Sequence, residues 1–459
     1  MTNADSTSRR AINPASLPTP PGWSHAVDAG GWVFGAGALA TDFATGLSAR
    51  GRVNPRVPYL HTPIGAQGRC ILTDIGEILR ACDCDIRRDL IRVWQWIRAS
   101  YPSDDAYRAS RAHWPCFPSG SPYLRELHAL VGDPQRSSTG IGVRALPVPD
   151  AVLSVDFIAV KNGKAKVSFA PPADLPQPKI GYSAATQHGD WVFLAGFGAT
   201  DFRGDWMSGA HMGETGMVSP EARVNPYIWL GSEIEAQTEY TLKALARIAA
   251  AAGTSFDRCV KADVTITHPD DFADMDRVWQ AHFPTNPPAR TVVTGAQLVQ
   301  KGLRVEIALL LLAGDSQLER RSINASSQPP VIGQAPHAIK AGHFLFTSSL
   351  LPTDVSGAVP DGLLRNPALP YFQQPVRRQS EAIFERAGAI CAAAGTSVQN
   401  ICKAQVFFDD MAGMPEMLDA WRNAFPTSPP ALSAVEMGGG APIIAPGAHV
   451  QMDFIAYVP

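Results

Sequence analysis

The chain has 459 residues, 45% of them hydrophobic and 18% charged, with a formal net charge of −3 at pH 7. That length suits about three domains, and the composition is that of a globular protein. The charge balance supplies no field for phosphate backbones, and the longest apolar run, Ile307 to Ala313, falls far short of the about 20 residues that cross a bilayer; neither nucleic acid nor membrane is an expected partner.

The first 22 residues lack the apolar segment of a secretory signal and read as a mobile tail. Seven cysteines without paired Cys-x-x-Cys motifs favour reduced thiols and a cytoplasmic location, and Cys82-Asp83-Cys84 reads as a helix end. From Gly30 to Phe43 runs GGWVFGAGALATDF, which returns as GDWVFLAGFGATDF from Gly189 and, more weakly, as GHFLFTSSLLPTDV from Gly342. Each is followed by the same landmark, Asn54-Pro55, Asn225-Pro226 and Asn366-Pro367. Two landmarks repeated in order indicate a tandem triplication.

Each copy opens with alternating apolar and polar residues ending in Gly, Thr and Asp, as a hairpin does. A long helix follows the Asn-Pro turn. Copy one places Ile71, Ile75, Ile78 and Leu79 on one stripe, and then carries an insertion at about Pro115–Gln135. In copy two the helix is expected from about Ile234 to Ala252, with Leu242, Leu245, Ile248 and Ala249 inward and Gly253 as a left-handed stop. In the next strand Val260, Ala262, Val264 and Ile266 face one way, and Lys261, Asp263, Thr265 and Thr267 the other. A second helix carries Phe272, Met275, Trp279 and Phe283. Copy three repeats both helices with Ile383, Phe384, Ala387, Ile390 and Cys391 before Gly395, then Met414, Leu418, Trp421 and Phe425. Two closing strands end each copy, the last reading LSVDFIAV, LRVEIALLLLA and VQMDFIAYV. The expected fold is α+β: three tandem β-β-α-β-α-β-β units, at 1–165, 175–315 and 328–459, with linkers near Lys161–Pro178 and Gly314–Pro330. The closing strands are apolar on both faces, so each sheet must also bury its far side, which three copies achieve by packing as an intramolecular pseudo-trimer.

This programme resembles the reactive-intermediate deaminase (Rid) family, a chorismate-mutase-like fold, over nearly the whole chain. Copy two is the fullest match: IGYSAAT (Ile180–Thr186) looks like the entry strand, WVFLAG (Trp191–Gly196) like the second strand, NPPARTVV (Asn286–Val293) like the Pro-x-Arg motif, and RVEIALL holds the late Glu. Copy one, with VWQWI (Val93–Ile97) and STGIG (Ser138–Gly142), is also similar to chorismatase-type relatives. The resemblance implies pockets between units, Arg290 as carboxylate anchor, Glu306 as the late acid, Tyr182 on the entry strand, and Gly196 and Val292 lining the pocket. Copy three has Leu432 at the Arg290 position and copy one Ser138, with Arg136 two residues earlier; Asp156 and Asp453 align as shorter late acids, and Trp23 and Pro336 with Tyr182.

The residues themselves fit that chemistry. Arginine presents a planar fork that grips a carboxylate through two bonds, and an acid beside it could move protons to and from water and substrate. Other readings stand beside these: Arg290 in an ion pair, Glu306 paired structurally with an arginine such as Arg304, and Tyr182 packed at an interface. His25, His188, His337 and His449 lack metal-ligand spacing, so no metal is expected, and no phosphate-loop pattern appears, Gly438–Gly440 reading as a turn. The leading expectation is a cofactor-free hydrolase that converts a small carboxylate-bearing enamine or imine to a keto acid and ammonia, an aminomuconate-like intermediate being one candidate. The alternatives are a chorismatase-like enzyme acting on a cyclic carboxylate, and a non-catalytic carboxylate-binding protein. A monomer, or a homodimer of pseudo-trimers, is expected.

Overall fold

The structure is a computed structural model. It describes residues 9–58, 60–99, 121–132, 136–161, 165–178, 181–201, 218–225, 227, 229–295, 297–298, 302–365, 368, 373–437 and 443–459. Ile180, Pro226, Asn366-Pro367, Gly438–Gly440 and the start of the copy-one insertion lie outside these residues.

Three sheets are present, one per unit. The first unit contributes β1 (Arg10–Ile12), β2 (Ala26–Ala29), β3 (Trp32–Gly35), β4 (Leu90–Arg98), β5 (Ser137–Val143) and β6 (Leu153–Val160). The second has β7 (Val167–Phe169), β8 (Ala185–His188), β9 (Trp191–Leu194), β10 (Phe197–Gly198), β11 (Cys259–Ile266), β12 (Ala289–Thr294), β13 (Gln297–Leu298) and β14 (Val305–Leu312). The third has β15 (Arg320–Ile323), β16 (Ala338–Ala341), β17 (Phe344–Thr347), β18 (Ile401–Phe408), β19 (Ala431–Glu436) and β20 (Val450–Tyr457). Strand orders correspond: β1-β2-β3-β6-β4-β5, β7-β8-β9-β14-β11-β12 and β15-β16-β17-β20-β18-β19. β13 leaves its own unit and extends the first sheet beside β5.

Each sheet therefore begins with one strand more than expected. β7 and β15 lie inside the segments read as linkers, and β1 inside the segment read as a tail; each forms ladder bonds with the first hairpin strand. Six longer helices cover the outer faces: α1 (Pro63–Arg80), α2 (Ser121–Val131), α3 (Glu233–Ala251), α4 (Phe272–His282), α5 (Pro375–Ala393) and α6 (Met414–Ala424). α2 falls within the supposed insertion, yet it is the second helix of the first unit, its Tyr123 and Leu127 sharing one core with Ile71 and Ile75 of α1; the extra length precedes it. α3 starts on Ser232, whose hydroxyl accepts the Glu235 amide, and stops at Gly253 with φ +72°.

The strand alternation holds with one physical exception. Ala262, Val264 and Ile266 pack under α3 and α4, but Val260 joins the opposite core, because a β-bulge between Cys259 and Lys261 places two successive residues on one face. The same bulge precedes Arg92 in β4 and Lys403 in β18. On the inner faces the units meet around a pseudo-threefold axis. Trp32, Trp191 and Phe344 fill one end, with ring centroids 4.8–6.3 Å apart.

Candidate active site

Equivalent residues at the three seams follow from the backbone. The Gly196 amide donates to the Ser138 carbonyl (3.0 Å), the Ser349 amide to that of Arg290 (3.1 Å), and the Gly37 amide to that of Leu432 (3.0 Å). Ser138, Arg290 and Leu432 thus occupy one structural position, as their alignment anticipated. The same bonds show that each seam takes half its residues from either neighbour. Arg290 lies between units two and three, whereas Gly196, Tyr182 and Glu306 lie between units one and two. The five expected residues are therefore not brought together, although one unit carries them all.

Arg290 is 1% exposed and forms an ion pair with Asp276 of α4. Its guanidinium stacks on Trp279 at 4.8 Å, and the backbone of Gly333 closes over Nη2 so tightly that a Cβ there would overlap it. Burial lowers the pKa of the guanidinium while Asp276 opposes that shift. Arg290 lines neither cavity described below; its Nη2 is held by Asp276, while its Nη1 is buried without a hydrogen-bond partner among the described residues. Val292 likewise turns its side chain into the core under the helices, and its carbonyl accepts from Gln451 Nε2 (2.8 Å).

Two registers need correction. Asp156 pairs across the ladder with Trp94 and Asp453 with Gln405, and the residue so placed in unit two is Ala308, opposite Asp263. Glu306 stands two residues earlier, opposite Thr265, so its counterparts are Ser154 and Gln451. Tyr182, three residues before β8, corresponds to Trp23 and Ala335; Pro336 is one residue further on.

Glu306 is 7% exposed in a cavity at the seam of units one and two, walled by Trp94, Trp96, Thr139, Thr265 and Ala308, with Gln405 and Phe407 of unit three closing its axial side. Its Oε1 lies against Gly196, where any Cβ would overlap it. The Gly196 amide is shared between the Ser138 carbonyl and Thr139 Oγ1 (3.0 Å each), so it is not a free donor. Thr139 Oγ1 also accepts from Arg92 Nη2 (2.5 Å), and Arg92 Nη1 donates to the Leu194 carbonyl (2.7 Å). Burial pushes the Glu306 carboxyl up to about 8, with Arg92 pulling the other way. The Tyr182 hydroxyl is pushed up by burial and by the charge of Glu306. Arg136 closes this seam further out, donating to the Gly181 carbonyl and lying buried against Tyr123. Sequence reasoning passed over Arg92, although IRVW, VKAD and CKAQ each place a basic residue at the same point of the same strand. Among the described residues no cluster of three or more His, Cys, Asp or Glu could hold a metal ion, and no helix is long and apolar enough to cross a membrane.

Three sheets of one topology, meeting at seams that each bury an acid, define a fused trimer of small α+β units. The model of the family described as Endoribonuclease L-PSP matches residues 173–312 and 326–458, and the chain belongs to that family, the Rid family of the sequence reading. It is 35% identical over 91 residues to the mitochondrial protein mmf2 of Schizosaccharomyces pombe, spanning 19% of this chain and 72% of that one. It is 31% identical over 116 residues to RutC family protein PH0854 of Pyrococcus horikoshii, spanning 25% and 82%. Among solved structures, yeast Mmf1 matches 31% of this chain and 100% of its own at 22% identity and a TM-score of 0.25. A chorismatase matches 64% and 78% at 17% identity and a TM-score of 0.40.

Proposed function

We propose that the chain is a cofactor-independent hydrolase of a small carboxylate-bearing enamine or imine, working at the seam between units one and two with Glu306 as its proton-transfer group. The observation that carries this reading is the Glu306 carboxyl itself: buried in a cavity, in contact with residues of the neighbouring unit, and poised to exchange a proton near pH 8. Membership of the Rid family, whose chemistry the resemblance implied, supports it.

The neutral carboxyl gives its proton to the enamine carbon and leaves an iminium. Its carboxylate then takes a proton from water as the water oxygen bonds to the iminium carbon. The reprotonated Glu306 gives its proton to the carbinolamine nitrogen; the C–N bond breaks with its electron pair leaving on ammonia, the oxygen forms the C=O bond, and the hydroxyl proton returns to the Glu306 carboxylate. Enamine and water go to keto acid and ammonia without a redox partner. Proton transfer of this kind is worth about 10²–10⁴ in rate.

The test is ammonia release from freshly generated 2-aminoacrylate or 2-iminobutyrate. Glu306→Gln is expected to slow it by about 100-fold or more, and the wild-type rate to fall as pH rises through about 8, where the acid is lost. Folded Arg290→Ala should keep its rate, because that guanidinium serves another seam. An unchanged rate in Glu306→Gln removes the proposed site. Turnover of chorismate instead would favour the chorismatase-like reading, and saturable carboxylate binding without turnover the non-catalytic one.

A further inference from the structure

Three basic side chains ring the pseudo-threefold axis, each making the same set of contacts. Lys261 Nζ donates to Thr291 Oγ1 of its own unit (2.7 Å) and the Thr347 carbonyl of the next (2.8 Å). Lys403 Nζ donates to Ser433 Oγ (3.2 Å) and the Gly35 carbonyl (2.8 Å), and Arg92 to Thr139 Oγ1 and the Leu194 carbonyl. Two of the three also meet a carboxylate from the last strand of the next unit, Lys261 with Asp453 (3.1 Å) and Lys403 with Asp156 (3.4 Å). By the same rotation Arg92 should meet residue 308, and residue 308 is alanine. Among the described residues no carboxylate forms an ion pair with Arg92, which is 2% exposed.

The vacancy adjoins two small cavities. Arg92 lines an axial cavity, Ala308 lines the Glu306 cavity, and the two share Trp94, Asp263 and Gln405 in their walls. We propose that a short-chain carboxylate completes the third ion pair of the ring, taking the place that an aspartate side chain would fill at Ala308, with Arg92 as its counter-ion. A buried guanidinium lacking a counter-charge is costly, and a ligand carboxylate removes that cost through charge-assisted bonds. Asp263, directly across the ladder from Ala308, is the first rival counter-charge, and Asp156 and Glu306 add to the negative field at Arg92. The cation nearest Asp263 is Lys261 at 3.9 Å, and the Asp263 Oδ1 has no hydrogen-bond partner. Ala308 and Glu306 line the same cavity two positions apart on β14, so, resting on the reaction above, this names the group that orients its substrate. The binding claim nevertheless stands without turnover.

Calorimetric titration of the intact chain with 2-oxobutyrate, which carries no nitrogen to lose, tests it against the neutral ketone butan-2-one. The keto acid should bind saturably and the ketone should not. Ala308→Asp should weaken the binding at least 10-fold and raise the thermal midpoint, the protein now supplying the missing carboxylate. Ala308→Asn, equal in bulk and uncharged, should weaken binding without raising the midpoint. Glu306→Gln, which disables the proposed reaction, should still bind, so loss of turnover and loss of binding are told apart. Unchanged binding in Ala308→Asp overturns the proposal. So does a midpoint in Ala308→Asp no higher than in Ala308→Asn, which would make Asp263 the existing partner of Arg92.

Discussion

Glu306 links protonation to folding. In the unfolded chain its carboxyl titrates near the ordinary value of about 4.3, and in the folded chain near 8. Between those values the native state holds the extra proton, so the contribution of this group is complete at low pH and is lost as pH rises through about 8. Glu306→Gln removes the dependence. The variant should therefore gain stability over the wild type progressively from about pH 5 to pH 8 and hold a constant advantage above, on the order of a few kcal/mol, read from urea midpoints across pH. A flat difference would show that the carboxyl is solvated. Arg290 teaches the complementary lesson. Its motif was legible, and so was the structural equivalence of Ser138 and Leu432, but Asp276 lies 14 positions earlier on a helix whose facing could be read only as a stripe.

At the level of elements, the helices were readable because burial leaves a stripe: Leu242, Leu245, Ile248 and Ala249 are each at most 1% exposed. Their ends were readable too. Gly253 and Gly395 take φ +72° and +81°, and a Cβ at either position meets no neighbour within 4 Å, so only the backbone resists substitution there. Gly253→Ala should cost about 1 kcal/mol with an unchanged denaturant slope; a loss several times larger would indicate a packing role. The edge strands were not readable. β1 and β7 have three residues each and β15 four, mostly outside the core, and pairing rather than composition holds them. The register of β14 slipped for a different reason: Val305-Glu306 resembles Val155-Asp156 in sequence, but cross-strand pairing matches Val305 to Leu153 and Glu306 to Ser154, two positions away.

On the scale of the whole molecule, covalent fusion lets each seam differ. A homotrimer repeats every substitution three times, whereas here Ser138, Arg290 and Leu432 occupy one position and Ala308 breaks a ring that Asp156 and Asp453 maintain. Triplication was plain in the sequence. The division of the family's residues between two seams was not, because a linear copy holds both halves of a pocket that the fold distributes to different neighbours.

The aromatic end of the axis carries its own signal. Trp32 and Trp191 belong to different units, yet their rings are 5.0 Å apart and inclined at 77°. Indoles so close and so tilted share their excited states, and the assembled chain should show a pair of oppositely signed far-ultraviolet dichroism bands that neither tryptophan gives alone. Trp32→Phe should erase that couplet while sparing the helical signal; an unaltered spectrum would place the two rings apart in solution. Closure of the three units would then be visible as light absorbed by two of them jointly, and refolding could be timed by its return.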